Sequence, residues 1–301
     1  KYIGRMAKQA GKAVAALIEK NIRPRDIVTE KSLHNAIVIH GAIGGSTNAL
    51  LHLPAIAHEF QLPLSMDLFD QLHRSTPFMV NTRPVGRYST DMFWYAGGVP
   101  RLMLELKDKL HLDVLTVTGK TLGENLEQIE EDLSFYEGYL SNYGLTRSDI
   151  IRLLSPQGAI AILKGNIAPL GAVVKYTGLP KNMQVFEGTA RVFCDELSAR
   201  IAIIEKKIQP GDCIVIPYAG PKGSGMPEMF YTTEALCADP QLSSTTAIIT
   251  DGRFSGASRG PCIGHISPEA ASGGPIGLIR DGDKIRIDIP NRSIDVLDVG
   301  L

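Results

Sequence analysis

Residues 250–265, TDGRFSGASRGPCIGH, combine two serines, a cysteine, a histidine and two arginines with four glycines. The two serines compete for a catalytic role. Ser258 stands in a G-x-S-x-G pattern, which is typical of the nucleophile of a serine hydrolase. Ser255 lies three residues earlier and matches no general-purpose motif. The rest of the chain has to decide between them.

The surroundings of Ser258 do not fit a hydrolase. A nucleophile elbow needs a strand that leads directly into the serine and a helix that leaves it. Here the predicted strand ends near Thr250, and Pro261 would interrupt a helix after the serine. The triad of that fold also needs an acid and then a histidine after the serine, yet the only later histidine is His265, with no carboxylate in between. We therefore reject Ser258 as a triad nucleophile.

A second candidate is the glycine-rich segment 220–229, GPKGSGMPEM. Its pattern predicts a loop that opens a helix, with Pro227 near the first turn and Glu228 just inside the helix. Such a loop offers unpaired backbone N–H groups to an anionic substrate, and the carboxylate of Glu228 could bind a hard cation. Alternatively, Glu228 only complements the helix dipole. Both interpretations are open at this point.

The segment 44–48, GGSTN, is either part of a site or only a cap for the helix that follows it. Two other patterns are excluded. The TGKT sequence at 118–121 has Val114 where a phosphate-binding loop needs a glycine. His52 and His58 point about 120° apart on a helix, which excludes a zinc-protease pair. We expect each of these histidines to be a surface or core residue.

Composition narrows the function classes. The 31 basic and 32 acidic residues give a net charge of −1, so nothing points to nucleic acid or to an electrostatic membrane anchor. No apolar run approaches the ~20 residues of a membrane span, and signal-peptide features are missing, so we expect a cytoplasmic protein. The four cysteines form no C-x-x-C pair, which predicts reduced structural thiols rather than a zinc or redox site.

The predicted secondary structure changes from helices to strands near residue 150. Before it, helices are predicted around an apolar face formed by Met6, Ala10, Val14 and Leu17, and over 50–59, 99–110 and, after a cap at Thr146, 150–154. After it, short β-branched runs predict strands in a barrel or sandwich. These runs are 159–163, 171–175, 192–193, 214–216, 247–250 and 285–289.

One short pattern occurs twice in the second half. The sequences PGDCIVI at 210–216 and DGDKIRI at 281–287 both place a Gly-Asp turn before a strand. We therefore expect two similar hairpins in one β domain, and we place a domain boundary near residue 150.

Five segments, in the same order along the chain, resemble the dihydroxy-acid and phosphogluconate dehydratases and related enzymes that dehydrate aldonic acids. The resemblance implies an α/β plus β architecture. Residues 1–150 would be the helical end of an α/β N-terminal domain, and residues 151–301 a β-barrel domain of the aconitase swivelling type. The segments are 44–48, 116–122, 165–169, 223–229 and 250–256, the last continuing to 273–275.

The resemblance also implies roles for individual residues. Ser255 matches the serine whose alkoxide acts as the base at the α-carbon, and Glu228 matches a carboxylate that binds the catalytic Mg²⁺. A metal ion and backbone N–H donors can stabilise an alkoxide that would not form in water. We assign substrate binding to the surrounding glycine-rich residues, which are Gly223, Ser224, Gly225 and Gly256.

The family further implies an iron–sulfur cluster, commonly [2Fe–2S], held by three cysteines in the N-terminal half. None of Cys194, Cys213, Cys237 and Cys262 falls on a cluster position. The chain therefore resembles the C-terminal half of a dehydratase, with the base and one metal ligand but without the cluster ligands. We expect it to be incomplete by itself.

These implications define the expected reaction and its alternatives. The full-length enzyme, a homodimer or homotetramer, would convert a 2,3-dihydroxy acid into a 2-keto acid. Residues 39–42, 53–58 and 230–233 resemble the aldonic-acid enzymes slightly more, and the branched-chain dihydroxy-acid dehydratase is the close alternative. In a different class, the chain would be a non-catalytic barrel module or a split subunit that needs a partner chain.

Overall fold

The structure, a computed structural model, describes residues 2–132, 134–255 and 261–297. The first half is mainly helical, as predicted, and includes one short strand, β1 (Phe78–Val80). Each helix here is too short or too polar to cross a lipid bilayer, within the described ranges. The helices are α1 (Tyr2–Glu19), α2 (Pro24–Ile27), α3 (Glu30–Ile43), α4 (Ala49–Glu59), α5 (Met66–Ser75), α6 (Thr90–Tyr95), α7 (Gly98–Glu105), α8 (Leu122–Asp132), α9 (Ser134–Ser141) and α10 (Arg147–Ile150).

The predicted helix over 150–154 is wrong. The cap at Thr146 is present, since its backbone N–H donates to Asp149 Oδ2 at 2.8 Å. The helix that it starts, α10, is only one turn long, and residues Ile151–Ser155 form strand β2. This strand pairs antiparallel with β1, so backbone hydrogen bonds to a distant segment decide its conformation. The division at residue 150 stays a prediction.

The second half contains an eight-stranded mixed sheet that curls into a nearly closed barrel, in the order β10-β9-β5-β6-β7-β8-β4-β3. The pairs from β5 to β8 are parallel and the others antiparallel. The strands are β3 (Ile160–Leu163), β4 (Gly171–Lys175), β5 (Val185–Val192), β6 (Asp212–Ile216), β7 (Ala247–Thr250), β8 (Cys262–Ser267), β9 (Lys284–Asp288) and β10 (Ser293–Leu297). Their connections include α11 (Glu196–Ile204), α12 (Pro221–Ser224), α13 (Phe230–Cys237) and α14 (Pro240–Ser243).

The two edge strands of the barrel are joined by the residues that follow β3. Lys164 accepts a hydrogen bond from the N–H of Ile294 at 3.1 Å. The side chain of Asn166 exchanges two hydrogen bonds with the backbone of Val296, at 2.7 and 2.8 Å. Between them, a Cβ atom on Gly165 would lie 2.0 Å from the carbonyl oxygen of Ile294. The Gly-Asn pair of the 165–169 motif therefore closes the barrel.

The apolar strands are buried on both faces. In β3, Ala161 and Leu163 point into the barrel core, whereas Ile160 and Ile162 pack against the helical half. The central strands β6 and β7 alternate in the same way between the barrel core and a cluster with α11 and α13. Continuous apolar runs are expected for strands that helices cover. The packing of β3 on the helical half sets the position of the candidate site.

The repeated Gly-Asp pattern forms two similar turns but not two similar hairpins. Gly211 and Gly282 both adopt positive φ, 90° and 96°, and the strands that follow them lie on either side of β5. β9 continues into an antiparallel hairpin with β10, but β6 runs parallel to β5. A parallel neighbour needs a crossover connection, which α11 provides. The hairpin expected at 210–216 is therefore wrong.

Candidate active site

Two segments that are far apart in the sequence meet where the helical half faces the barrel. Asn48 Nδ2 donates a hydrogen bond to Glu228 Oε1 at 2.8 Å. Asn48 lies between α3 and α4, and Glu228 lies between α12 and α13. The contact joins the GGSTN segment to the glycine-rich segment, which the sequence had singled out independently.

The GGSTN segment does more than cap a helix. Gly44 ends α3 in the left-handed conformation, with φ 64°, and a Cβ atom there would lie 2.7 Å from the ring of Phe78. Asn48 occupies the N-cap position of α4 but makes no side-chain cap. Its amide reaches Glu228 instead, and its Oδ1 atom is buried without a hydrogen-bond partner. The capping interpretation therefore does not account for Asn48.

Glu228 does not lie inside a helix, so that prediction is wrong. The helix α13 begins at Phe230, two residues later. Residue 228 instead forms an isolated parallel bridge with Arg253, and Met229 donates its N–H to the carbonyl oxygen of Arg253 at 2.8 Å. This pairing keeps the segment extended, which delays the start of the helix.

Arg253 is a site residue that the sequence reasoning missed. Its Nε atom donates to the carbonyl oxygen of Met226 at 2.9 Å, and its guanidinium lies 3.9 Å from Glu228 Oε1. It therefore holds the segment that carries Glu228 against the segment that carries Ser255, which is two residues further along and partly buried. Its position in the 250–256 motif was the available signal.

The buried carboxylate of Asp251 holds the segments of the site together. Asp251 is 1% exposed and accepts hydrogen bonds from the N–H groups of Tyr218, Ala219 and Ala270 at 3.1, 2.7 and 2.8 Å. Hydrogen bonds from several backbone N–H groups compensate a carboxylate for lost hydration. Asp251 thereby fixes the end of β7, the start of the glycine-rich loop and the segment after β8 relative to one another.

Four N–H groups of the glycine-rich loop already have partners, so the expectation of unpaired donors is wrong for residues 222–225. Residues 221–224 form the one-turn helix α12, and Glu269 accepts hydrogen bonds from the N–H groups of Lys222 and Gly223 at 3.0 to 3.1 Å. The N–H groups of Ser224 and Gly225 donate to carbonyl oxygens of the same turn. The side chain of Glu269, from another part of the barrel, therefore occupies the N–H groups of Lys222 and Gly223.

The assignment of Gly223, Ser224 and Gly225 to substrate binding stays a prediction. All three residues are exposed. Gly256 and Ser258 lie outside the described residues.

His265 completes the polar surroundings. Its backbone has φ 53°, an uncommon conformation for a residue with a side chain, and its N–H donates to the carbonyl oxygen of Gly252 at 2.8 Å. Its Nε2 atom is buried without a partner. Burial, with smaller effects of Arg253 and His52, lowers the pKa of His265 to about 4. The imidazole is therefore neutral near neutral pH.

A cavity of about 360 Å³ lies beside these residues. Its walls include Leu50 and Leu51 of α4, together with Asp251, His265 and Glu269. The size is at the small end for ligand pockets, which suits a small organic acid. A larger cavity of about 740 Å³ is lined by residues around Lys31 and Asp113 and shares no residue with this site. We place the candidate site beside the smaller one, because Met226 and Asp251 of its wall belong to the same segments as Glu228 and Ser255.

Glu228 fits a metal site as one ligand among several. The residues in the described ranges contain no group of three or more His, Cys, Asp or Glu side chains that could hold a metal ion. Mg²⁺ is usually bound through one or two carboxylates, with water and substrate oxygens as the other ligands. The carboxylate of Glu228, half-exposed and already positioned by Asn48, meets that requirement for a single ligand.

The buried cysteines Cys213 and Cys262 do not fit an iron–sulfur cluster. Cys213 lies in the barrel core and Cys262 in the cluster behind β6 and β7. Burial raises the pKa of both thiols, whereas a cluster needs thiolates. Cys194 is exposed at the start of α11, where its thiol donates to Asp195 at 3.6 Å.

Comparison with known proteins gives consistent matches along the chain. Residues 2–125 match the family model "Dihydroxy-acid/6-phosphogluconate dehydratase N-terminal", and residues 148–299 match its C-terminal counterpart. The chain is 48% identical over 296 residues to dihydroxy-acid dehydratase 1 of Methanosarcina acetivorans, covering 97% of the chain and 52% of that relative. It is 49% identical over 299 residues to the dihydroxy-acid dehydratase of Solidesulfovibrio magneticus, covering 97% and 51%. The chain thus spans about half the length of these relatives.

Proposed function

Because the chain belongs to the dihydroxy-acid/6-phosphogluconate dehydratase family, we propose that it is part of a hydro-lyase. The enzyme removes water from a dihydroxy acid and releases a 2-keto acid. The observation that carries the proposal is the contact between Asn48 and Glu228, beside Arg253. It joins three segments of the family resemblance at one place.

In this proposal Ser255 is the base that takes the proton from C2 of the substrate, the C3–O bond breaks as the hydroxyl leaves as water, and the resulting enol tautomerises to the 2-keto acid. A serine hydroxyl is too weak an acid to ionise at neutral pH without help from nearby positive charge or hydrogen-bond donors. Mg²⁺, when bound, supplies a charge that stabilises an alkoxide and the developing enolate. Glu228 is the residue of this chain that would hold it.

The other residues position these two groups. Asn48 and Arg253 hold the carboxylate of Glu228, and Arg253 also ties its segment to the one that carries Ser255. Asp251 keeps both segments on the end of the barrel. Since none of the four cysteines falls on a cluster position of the family, we assign no step of the reaction to a cluster held by this chain. A [2Fe–2S] cluster would belong to the remainder of the full-length enzyme.

The substrate is a short dihydroxy acid. Relatives named dihydroxy-acid dehydratase match 97% of the chain, which puts a branched-chain dihydroxy acid ahead of the aldonic acids that a few residues had favoured. The test is an assay of the full-length enzyme against branched-chain 2,3-dihydroxy acids, aldonic acids and 6-phosphogluconate, following 2-keto acid formation. Failure to form a 2-keto acid from any of them would refute the proposed reaction.

The fraction of the relatives that the chain spans supports one further point. We propose that the 301-residue chain alone is colourless and inactive, because it carries neither cluster ligands nor a complete metal site in the described residues. Iron and sulfide analysis of the purified chain is the test, and a brown, active preparation would contradict it. We also propose that the full-length enzyme is cytoplasmic and forms a homodimer or homotetramer. Light scattering can measure the oligomeric state.

A further inference from the structure

Two buried histidines lie behind the GGSTN segment and take no part in the chemistry proposed above. His40 is in α3 and His73 in α5, and they are 8% and 1% exposed. His73 Nε2 lies 3.3 Å from His40 Nδ1, and His40 Nε2 lies 2.8 Å from the carbonyl oxygen of Ser46. The pair thus leads from the barrel interface to the loop that carries Asn48.

The two outer partners of this pair, the N–H of Ile160 and the carbonyl oxygen of Ser46, determine the direction of each hydrogen bond between them. The N–H of Ile160 in β3 donates to His73 Nδ1 at 3.3 Å, so that nitrogen carries no proton. His73 must then carry its proton on Nε2 and donate to His40 Nδ1. His40 in turn carries its proton on Nε2 and donates to the carbonyl oxygen of Ser46. Both rings are neutral, and each has a single tautomer that fits.

The backbone around the rings leaves no room for another arrangement. A Cβ atom on Gly45 would lie 2.2 Å from the ring of His40, and one on Gly158 would lie 3.1 Å from His73 Nδ1. Gly45 of the GGSTN motif therefore lets the loop pack directly on the imidazole of His40. Lys175 in β4 fastens the same loop through a 2.7 Å hydrogen bond to the carbonyl oxygen of Gly44.

Burial is the main reason that the pair stays neutral, and the charged groups that face it have smaller effects. Burial lowers the pKa of His73 to about 3, with smaller contributions from His40 and Arg292, while Asp70 acts in the opposite direction. Burial also lowers the pKa of His40, with Lys175 adding to the effect and the hydrogen bond to Ser46 opposing it. A proton on either ring would also point an N–H group at another N–H group.

We propose that His40 and His73 are positioning residues for the candidate site. Their neutral imidazole chain transmits the position of β3 to the Ser46 carbonyl and so holds Asn48 against Glu228. The docking of the barrel on the helical half is thereby coupled to the geometry of the carboxylate. The consequence for turnover rests on the proposed function, whereas the consequence for the position of Asn48 does not.

The first test needs no variant. Nuclear magnetic resonance of the chain with ¹⁵N-labelled histidine reports the protonation of each ring nitrogen. At pH 7 we expect both His40 and His73 to be neutral with the proton on Nε2. A charged ring, or a proton on Nδ1 of either residue, would overturn the proposal whatever the enzyme does.

The second test uses two substitutions of His40. In His40→Gln, the amide can accept from His73 and donate to Ser46, so exchange of the Asn48 side-chain amide protons with solvent should stay close to that of the native chain. In His40→Leu, both hydrogen bonds of the ring are lost, and exchange of the Asn48 amide protons should accelerate roughly tenfold, a factor of the size that the loss of a hydrogen bond produces. Equal behaviour of the two variants would overturn the proposal.

His34 provides the matched control for these variants. It lies six residues earlier on α3 and is partly buried, but its ring contacts His111, with 4.7 Å between ring centroids, rather than the 44–48 segment. His34→Leu should leave exchange of the Asn48 amide unchanged. If it accelerates exchange as much as His40→Leu does, the effect is a general loss of helix packing and the positioning role is wrong.

The full-length enzyme gives the last readout. His40→Leu should lower kcat/KM by roughly tenfold, and His40→Gln should restore most of it, with melting temperatures measured for both. A wild-type enzyme without dehydratase activity would refute the proposed function but leave the resonance and exchange results standing. Normal activity in His40→Leu with the Asn48 amide released would refute the link to the site.

Discussion

Asn48 Nδ2 lies 2.8 Å from Glu228 Oε1, although 180 residues separate the two in the sequence. One residue belongs to the helical half and the other to the barrel, so the site exists only when the two halves are docked. The docking is reinforced by a partly buried ion pair, in which Arg292 Nε lies 2.9 Å from Asp70 Oδ1. Changes at this interface should therefore affect the site even when they are distant from it.

Replacing the proposed base should abolish turnover. We expect Ser255→Ala in the full-length enzyme to lower kcat by roughly 10³-fold or more, the size usually seen when a positioned base is removed. Substrate binding should largely survive, because the carboxylate of Glu228 and the segment that carries it are unchanged. Steady-state kinetics at saturating Mg²⁺, with the melting temperature as a check on folding, measures the effect.

Ser258→Ala is the control for that substitution. It lies three residues away in the same glycine-rich segment and has no proton to move in the proposed reaction. We expect most of the activity to remain, with a stability change of about 1 kcal/mol at most. An inactive Ser258→Ala with an active Ser255→Ala would reverse the assignment and revive the hydrolase interpretation.

Removing the charge of Glu228 should weaken metal binding. In Glu228→Gln the side-chain oxygen can still accept the hydrogen bond from Asn48, so the substitution changes the charge with little change in the contact. An amide is a poorer ligand than a carboxylate for a hard cation, and the Mg²⁺ concentration for half-maximal activity should rise at least about tenfold. Metal titration of the full-length enzyme tests this, with Glu234→Gln on the exposed side of α13 as the control. Unchanged metal dependence would leave Glu228 with a purely structural role.

A methyl group at the barrel closure should destabilise the fold. In Gly165→Ala the new Cβ atom would lie 2.0 Å from the carbonyl oxygen of Ile294, so the backbone must move. We expect the free energy of unfolding to fall by about 3 kcal/mol, as overpacking in a tight core does. Gly138→Ala in α9, where a Cβ atom meets nothing within 4 Å, should change it by less than about 1 kcal/mol. Urea unfolding of both variants is the measurement, and equal stabilities would show that the strand edges separate at little cost.

Acidification should destabilise the fold before the carboxylates titrate. The pKa of His73 is lowered to about 3 and that of His265 to about 4, from an ordinary value near 6.5. Below pH 6.5 these histidines bind protons in the unfolded chain but stay neutral in the folded chain. The free energy of unfolding is therefore at its full value above pH 6.5 and falls as the pH drops. Each such histidine contributes a slope of about 1.4 kcal/mol per pH unit.

Urea unfolding at pH 7.5, 6 and 5 measures this dependence. The slope below pH 6.5 should correspond to at least two protons and should decrease by about one proton in His73→Gln. A free energy of unfolding that is flat from pH 7.5 to pH 5 would show that these imidazoles are accessible to protons in the folded protein.

The sequence by itself determined the features that depend on neighbouring residues. Strands β4 and β7 run over the residues predicted for them, 171–175 and 247–250, because short β-branched runs bounded by turns have a local signature. The cap at Thr146 and the two Gly-Asp turns were predicted for the same reason. The order of the motifs was also sufficient to indicate the dehydratase family.

Only the tertiary structure decided which distant groups meet. Nothing near residue 151 shows that its segment pairs with β1, and nothing near Gly223 shows that Glu269 occupies its N–H group. The same holds for Asn48, whose amide would have been assigned to a helix cap from its position alone. Hydrogen bonds between such distant residues form because the packing of the two halves brings them together. The sequence around one residue does not indicate which distant residue will lie next to it.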